Sequence, residues 1–366
     1  MTSKERLTRL FAGKDIDRIP IWLLFPYFKS PVYANIFEIP EYTAILPYIL
    51  QNTDTIERHF FNTGFCFSAH PDVITERESI QTPDGFINRS IIRWKDLALT
   101  ASYTKDKITE TENYVKEPED ILHLLEFPYM PVQLDYSLFR NNEIQMGENG
   151  MMGVNLPDPL SMLHDICSET DFVLLAYTER ETVKVFLDDM LRRCLIFVKR
   201  LLDDGIGEIF WISGAEFATP PMLPPDLFPE LAGSHLKVIC DLIHSYGKSV
   251  MLHCHGKIRL ILPYLREIGF DAIHPIEPPP MGDCTLTQAR AALGNTVLTG
   301  NLQYGDLWDK SNEETAELVT RAISEGSESG KFILSISGGP SAPKLTERMA
   351  ENYVCIIETA KKYFEK

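Results

Sequence analysis

The second half of the chain repeats one pattern five times, a short apolar run followed by a loop and then a helical pattern. The successive pairs of runs and helices are 208–213 and 227–246, 249–252 and 257–268, 272–276 and 286–293, 296–299 and 313–325, and 332–336 and 344–364. Strands that alternate with helices are typical of a parallel sheet. Because the units span about 25–35 residues and lack a dinucleotide-binding glycine motif, they predict an α/β fold of the (β/α)8 (TIM) barrel type.

The first half is less regular and predicts an N-terminal helical and β-hairpin decoration of that barrel. Residues 3–11 have an amphipathic helical pattern, and residues 18–25 form an apolar run suited to a buried strand. Between about residues 60 and 105, Asp84-Gly85 lies between strand-like runs, which predicts an antiparallel insertion. Residues 120–190 have a helical pattern that prolines interrupt. No internal repeat or low-complexity linker divides the chain, so one domain is predicted over residues 1–366.

The charge and cysteine content exclude several classes of partner. Lys and Arg number 35 against 52 Asp and Glu, which gives a formal net charge of −17. So acidic a chain repels phosphate backbones and anionic lipid, and we expect neither a nucleic-acid nor a membrane partner. The seven cysteines form no CxxC pair, and their odd number argues against a disulfide framework. No apolar run reaches the roughly 20 residues of a membrane span. With no signal-peptide pattern at the N-terminus, we expect a cytoplasmic location.

Polar side chains occur where the five predicted strands end. In a (β/α)8 barrel the loops after the strands build the active site. The candidates at these positions are Glu216, His253, His255, His274, Glu277, Asn301, Gln303, Ser335 and Ser337. Because the carboxyl ends of parallel strands meet at one face of a barrel, we expect these side chains to converge on one site.

The segment His253-Cys254-His255 is the sharpest of these signals. Side chains alternate along an extended chain, so the two histidines face the same way. Two imidazoles and a carboxylate from a neighbouring strand can form a zinc site with an open position. We therefore predict Glu216, His253 and His255 as metal ligands and catalytic residues, with Glu277 as the next candidate for the carboxylate. The two histidines could equally hydrogen-bond a substrate carboxylate or phenol.

Aromatic residues follow the first predicted strand. Trp22, Phe25, Tyr27 and Phe28 either pack in the core or form an apolar wall for a flat substrate. The predicted substrate-binding residues are Trp22, Phe25, Tyr27, His274, Glu277, Asn301, Gln303 and Ser337. The chain contains no GxSxG, P-loop or GxGxxG motif, so serine hydrolase, nucleoside-triphosphatase and Rossmann dehydrogenase functions have no support.

Four segments, at residues 2–22, 252–277, 293–303 and 332–343, resemble the uroporphyrinogen decarboxylase superfamily. The resemblance spans nearly the whole chain and implies a decorated (β/α)8 barrel. Uroporphyrinogen decarboxylases carry an arginine-rich segment after the first strand, whereas residues 23–30 contain one lysine and no arginine. Without those guanidinium groups a multiply carboxylated substrate would bind poorly, so we do not expect that decarboxylase activity.

The other branch of the superfamily is the cobalamin-dependent methyltransferases, which include coenzyme M methyltransferases and O-demethylases. Their zinc motif is similar to H-x-C followed by a distant cysteine. His253 stands at the histidine of this motif, His255 at its first cysteine, and Ser337 near its second cysteine. The missing thiolates are a departure from the pattern that argues against thiol chemistry.

The resemblance therefore implies a methyltransferase whose zinc site differs in charge from the family's. Zinc held by Glu216, His253 and His255 would carry one net positive charge and be a strong Lewis acid, suited to polarising an ether oxygen. We predict transfer of a methyl group from a small aromatic methyl ether to a corrinoid. Because the chain has no DxHxxG signature, the cobalamin would be supplied by a partner corrinoid protein.

Three alternatives remain open at this stage. One is a decarboxylase-like lyase in which His253, His255 and Glu277 bind and protonate a small acid. Another is a thiol methyltransferase of coenzyme M type. The last is a catalytically silent barrel that binds a corrinoid or a partner.

Overall fold

Two β-sheets organise the protein, which is represented by a computed structural model that describes residues 1–106, 109–328 and 331–364. Residues 107–108, 329–330 and 365–366 of the predicted domain lie outside the described residues. The strands in chain order are β1 (Ile21–Trp22), β2 (Ile56–His59), β3 (Ile74–Gln81), β4 (Phe86–Trp94), β5 (Leu97–Lys105), β6 (Thr109–Glu112), β7 (Met151–Pro157), β8 (Ile209–Ser213), β9 (Ser249–His253), β10 (Ala272–Ile276), β11 (Val297–Leu302) and β12 (Phe332–Ile336).

Helices connect the strands and cover the larger sheet. In chain order they are α1 (Ser3–Phe11), α2 (Pro40–Asn52), α3 (Pro118–Glu126), α4 (Ser137–Met146), α5 (Pro159–His164), α6 (Glu169–Thr178), α7 (Arg180–Asp203), α8 (Ser234–Ser245), α9 (Leu262–Ile268), α10 (Leu286–Leu293), α11 (Asp306–Asp309), α12 (Asn312–Ser327) and α13 (Glu347–Phe364). Among the described residues, no helix has both the length and the apolar character needed to span a bilayer.

The larger sheet is a nearly closed parallel barrel. Its strand order is β1-β12-β11-β10-β9-β8-β7-β2, and every neighbouring pair is parallel. Between the end strands β1 and β2, the backbone N–H of Asp54 donates to the Ile21 carbonyl at 2.6 Å, and the Asp54 carboxylate accepts from the Ile21 N–H at 2.9 Å. Eight parallel strands surrounded by helices confirm the predicted (β/α)8 barrel.

The continuous apolar runs arise because each barrel strand is buried on both faces. Ile209 to Ile212 of β8 are all buried, with alternate side chains directed to the barrel interior and to the helices. In the interior, the rings of Trp22 and Trp211 meet edge to face with centroids 5.3 Å apart. The core therefore extends through the middle of the barrel and leaves its carboxyl-terminal rim for polar side chains.

The regular second half matches its predicted elements closely. The strands β10 and β12 and the helix α10 have the predicted bounds, and α1 in the first half does as well. The helix predicted over 257–268 begins only at Leu262, with Pro263 in its first turn, where the missing N–H of proline costs nothing. The predicted insertion is a four-stranded antiparallel sheet, β3-β4-β5-β6, whose first hairpin turns at Asp84-Gly85.

The prediction of helix over residues 120–190 is wrong at Met151–Pro157, which is the barrel strand β7. Six of these seven residues are apolar or glycine, so the segment looks like the flanking helices in hydrophobicity, and only its pairing with β2 and β8 makes it a strand. The strand β2 was also missed, because its four residues include a glutamate, an arginine and a histidine. The apolar run at 18–25 pairs only at Ile21–Trp22.

Candidate active site at the barrel rim

Histidines and glutamates from three neighbouring strands lie together at the carboxyl-terminal rim of the barrel. His253 ends β9, His255 lies two residues beyond it, and Glu277 follows the end of β10. Glu216 lies in the short helical turn Ala215–Ala218 after β8. His274 is in β10, in register with His253 on β9. The parallel sheet therefore brings these predicted residues to one place.

A chain of hydrogen bonds fixes the proton positions on His253 and His274. The Nδ1 atoms of the two rings are 2.9 Å apart, and His274 Nε2 is 3.0 Å from the carbonyl oxygen of Ile336. A carbonyl can only accept, so His274 carries its proton on Nε2, and its Nδ1 accepts from the Nδ1–H of His253. Burial lowers the pKa of both imidazoles well below the usual value, which keeps both neutral. The Nε2 of His253 is therefore left with a free lone pair.

His255 has a similar arrangement with a carboxylate as its partner. Its Nδ1 lies 3.2 Å from Oε2 of Glu277, which also accepts the backbone N–H of Gly256 at 2.8 Å. Burial lowers the pKa of His255, but the hydrogen bond to Glu277 and the charges of Glu277 and Glu216 outweigh it, so the pKa is raised. The rings of His253 and His255 are perpendicular, with centroids 4.5 Å apart.

The turn after β8 holds Glu216 next to this pair. Oε2 of Glu216 accepts the N–H of Gly214 at 3.1 Å. Burial raises the pKa of Glu216, while the charge of His255 acts to lower it. Gly214 has a φ of +116°, and a Cβ there would lie 2.3 Å from Cβ of Ser161 and 2.7 Å from Oδ1 of Asp158. Only glycine fits this turn, which fixes the path of the chain into Glu216.

Asp158 is a candidate that the sequence did not indicate. It directly follows β7, it is fully buried, and its Oδ1 accepts the N–H of Ser161 at 2.6 Å as the N-cap of α5. Its Oδ2 is buried without a hydrogen-bond partner among the described residues. Burial raises the pKa of Asp158 to about 7, so this carboxyl is partly protonated at neutral pH. It was missed because β7 itself was interpreted as part of a helical region.

Arg58 and Trp211 were also missed. The Arg58 guanidinium lies over the Trp211 ring, 4.6 Å from its centroid, and Trp211 stacks on His253 with centroids 4.8 Å apart. Arg58 also donates a hydrogen bond to the hydroxyl of Tyr33. Trp211 looks like an ordinary core residue in its apolar run. Arg58 lies on the short strand β2. The charged pair Glu57-Arg58 within this strand is the sequence signal that could have identified it.

The predicted aromatic residues have different positions. Trp22 lies inside the barrel, where its ring contacts that of His274 at 5.7 Å. Phe25 instead packs between Tyr42 of α2 and Tyr353 of α13, at 6.2 and 4.9 Å. The structure therefore does not bring Phe25 to the imidazoles.

The other aromatic and polar candidates have structural partners. The hydroxyl of Tyr27 accepts a hydrogen bond at 3.3 Å from Asn149, which precedes the start of β7. The Ser337 hydroxyl donates to Oε1 of Gln303 at 3.4 Å and accepts the N–H of Tyr304 at 3.0 Å.

The remaining polar candidates lie on the β11–β12 side of the barrel. Asn301 of β11 is in register with Ser335 of β12 and is half-buried. The hydroxyl of Ser335 donates to the Trp22 carbonyl at 2.7 Å, so it serves the β1–β12 contact. Near these residues, Nε1 of Trp22, Nε1 of Trp211 and Nε2 of Gln303 are buried donors without a hydrogen-bond partner among the described residues.

The donor set is suited to zinc in its chemistry. Within the described ranges, no three His, Cys, Asp or Glu side chains are already grouped so that they could hold a metal ion. Metal-binding histidines characteristically donate their second ring N–H to a fixed partner. His253 does so to His274 and His255 to Glu277, which leaves Nε2 of each ring as a possible ligand atom. The donor types of Glu216, His253 and His255 are those of zinc sites, and binding one ion would require these side chains to come closer together than in this structure.

The fold and the rim together define a (β/α)8-barrel protein with an imidazole–carboxylate site at its carboxyl-terminal face. The chain belongs to the uroporphyrinogen decarboxylase (URO-D) family, whose model matches residues 99–363, and this confirms the resemblance noted in the sequence. A comparison with curated protein sequences found no match.

The comparison with solved structures found similar chains, and one of them shares the fold over its whole length. A methyltransferase from Methanosarcina mazei is 14% identical, with a TM-score of 0.64, over 100% of this chain and 99% of that chain. The 3-keto-D-glucoside 4-epimerase YcjR from E. coli is also 14% identical, with a TM-score of 0.35, over 66% of this chain and 94% of that chain. At this level of identity the similarity to the methyltransferase concerns the fold.

Proposed function

We propose that the protein is a zinc-dependent methyltransferase that transfers the methyl group of a small aromatic methyl ether to a corrinoid carried by a partner protein. The observation that carries this proposal is the pair of imidazoles, each with its Nδ1 engaged by a fixed partner so that Nε2 is the remaining ligand atom, together with the partly buried carboxylate of Glu216 in the turn after β8. The similarity in fold to the methyltransferase from Methanosarcina mazei supports it.

The residues of the site divide into ligands and positioning residues. Glu216, His253 and His255 would hold the zinc, which when bound supplies a Lewis acid for the ether oxygen. His274 orients His253 through the Nδ1–Nδ1 hydrogen bond, and Glu277 orients His255. Glu277 would hold His255 in place rather than bind the zinc, because its Oε2 is already shared between His255 and the Gly256 N–H.

In the overall reaction, the bond between the methyl carbon and the ether oxygen breaks and the oxygen keeps the electron pair as a phenolate. The Co(I) centre of the corrinoid provides the pair for the new cobalt–carbon bond. The phenolate then takes a proton from water. The centroids of the Trp22 and Trp211 rings lie 5.7 and 5.2 Å from that of His274. Their buried indole N–H groups have no partner among the described residues and could bind a substrate atom or a water molecule.

Metal content and activity test the proposal together. Purified protein should contain one zinc ion per chain and should methylate free cob(I)alamin from members of a panel of neutral aryl methyl ethers. His253→Ala and His255→Ala should each lose zinc and activity together. The loss of zinc affinity should exceed the roughly 100-fold loss expected when a residue that only hydrogen-bonds a metal ligand is replaced. His123→Ala, on α3 and away from the rim, is the matched control. Full activity in the His253→Ala or His255→Ala variant would refute the proposal.

The ion pair of His255 with Glu277 favours a second candidate function. A histidine whose pKa is raised by a carboxylate 3.2 Å away can store and deliver a proton without a metal. A decarboxylase-like lyase acting on a small acid would use it in this way. Release of carbon dioxide from small acids, undiminished after chelation of metal, would favour this lyase over the methyltransferase.

A further inference from the structure

The half-buried side chain of Arg58 is a cation at the rim that forms no ion pair with the described residues. We propose that Arg58 binds an oxyanion group of the small-molecule substrate, so that the methyl donor is an aromatic methyl ether that carries a carboxylate. The inference rests on the proposed function for the identity of the donor. The binding of an anionic arene by Arg58 can be tested separately from methyl transfer.

The location of Arg58 connects it to the imidazoles. It lies at the carboxyl end of β2, in register with Gly153 of β7. Its guanidinium carbon is 4.6 Å from the centroid of the Trp211 ring, and the His253 ring stacks on Trp211 with centroids 4.8 Å apart. These two distances place the guanidinium carbon within about 10 Å of the centroid of the His253 ring. A single aromatic ring with substituents at opposite ends spans such a distance.

Arg58 has no ion-pair partner within the part of the chain that the structure describes. No carboxylate of the described residues lies within 4.0 Å of its guanidinium nitrogens, although the chain has more carboxylates than cations. The adjacent Glu57 interacts with the Arg58 charge without forming an ion pair, and its Oε2 accepts the N–H of Tyr27 at 2.6 Å. Burial also raises the pKa of Glu57 to about 7, which reduces the negative charge that it offers at neutral pH. A guanidinium at the rim that forms no ion pair with the described residues is available to bind an external anion.

The aromatic surroundings hold the guanidinium in one orientation. Its carbon lies 5.2 Å from the ring centroid of Tyr33 and 5.7 Å from that of Phe60, in addition to Trp211. One N–H is used by the hydroxyl of Tyr33. A guanidinium has five N–H donors in a planar fork, so the remaining donors can pair with both oxygens of a carboxylate. Gly339 keeps room for this arrangement, because a Cβ there would lie 2.2 Å from the Tyr33 ring.

Equilibrium binding of matched ligands tests the inference. Titration calorimetry would compare 4-methoxybenzoate with the neutral 4-methoxybenzamide, and 4-methoxybenzenesulfonate would show whether other oxyanions are accepted. We expect wild-type protein to bind the benzoate on the order of 10- to 100-fold more tightly than the amide. Arg58→Met should remove this preference and leave the affinity for the amide nearly unchanged. Arg266→Met, on the exposed side of α9, removes the same charge away from the rim and serves as the control. It should keep the preference for the benzoate.

Further variants keep the test decisive if Arg58→Met does not fold. Arg58→Lys keeps the charge but not the planar fork, and it should bind the benzoate with intermediate affinity. Tyr33→Phe removes the hydroxyl that holds the guanidinium. It should therefore lower the affinity for the benzoate more than the affinity for the amide. Equal affinity of the wild-type protein for acid and amide, or equal losses for both in the Arg58 variants, would overturn the inference.

The two proposals can fail separately. If acid preference depends on Arg58 but no methyl group reaches cob(I)alamin, the proposed reaction is wrong and the anion site stands. If neutral ethers are demethylated with no preference for acids, the reaction stands and the anion site is wrong.

Discussion

At the scale of single residues, the chemistry of the site depends on which ring nitrogen carries a proton. The Ile336 carbonyl fixes the proton of His274, His274 fixes that of His253, and Nε2 of His253 is left free. The pattern H-x-H predicted two imidazoles on one face, and the structure brings their rings together. The tautomers could not be predicted, because the partners come from β10 and β12, distant in sequence.

Exchange of single carboxylates should separate ligand from positioning residue. Glu277→Gln keeps an acceptor for Gly256 but removes the charge beside His255, so we expect zinc affinity to fall about 10- to 100-fold. Glu216→Gln should reduce it further, because it removes a ligand. Competition with a chromophoric chelator measures both. A larger loss in Glu277→Gln than in Glu216→Gln would reverse the two roles.

Glu57 predicts a pH dependence of stability. Burial raises its pKa from 4.5 to about 7, so the folded state favours the protonated carboxyl. This contribution to stability is complete below pH 4.5 and is lost as the pH rises toward 7, by up to about 3 kcal/mol. Glu57→Gln stays neutral, so its stability relative to wild type should grow over that window. Urea unfolding between pH 4 and 8 tests this, and a pH-independent difference would contradict it.

At the scale of elements, the missed strands explain the missed site residues. The five predicted units supplied Glu216, His253, His255, His274 and Glu277, all of which lie at the rim. Arg58 and Asp158 belong to β2 and to the end of β7, whose strand character depends on pairing with neighbours rather than on local pattern. The sequence therefore predicts the site residues that lie at the ends of regular strand–helix units, and not those on strands that only pairing defines.

The turn between β8 and Glu216 provides a test at this scale. Gly214→Ala would combine left-handed strain of about 1–2 kcal/mol with a clash against Ser161 and Asp158 of about 1–3 kcal/mol. It should also displace Glu216 and reduce zinc affinity. Gly247→Ala has a φ of +68° but open space around its Cβ, so it should cost only the strain. Thermal unfolding of the two variants measures the difference, and equal losses would show that the turn is not tightly packed.

At the scale of the whole molecule, closure of the barrel depends on Asp54. Its carboxylate is fully buried and accepts from Arg6 at 2.5 Å, from Arg18 at 2.8 Å and from the Ile21 N–H at 2.9 Å. These contacts bring α1, β1 and the start of β2 together. None of them was expected from sequence, because the carboxylate and its partners are separated by the helix α2.

Asp54→Asn should therefore destabilise the protein by about 3–5 kcal/mol, because it leaves two guanidinium groups without their buried partner. Glu76→Gln removes an exposed ion pair with Arg93 and should change stability by less than about 1 kcal/mol. Denaturant unfolding compares the two. A loss of similar size in both variants would show that the buried cluster does not hold the barrel ends together.

The central claim is that one metal ion, held by two histidines and a glutamate, makes this barrel a methyltransferase. Stepwise addition of zinc to metal-stripped protein, with methylation of cob(I)alamin by an aryl methyl ether followed by absorbance, tests it most directly. We expect no activity without zinc and a linear rise that ends at one equivalent per chain. Stripped protein that is as active as the reloaded protein would contradict it.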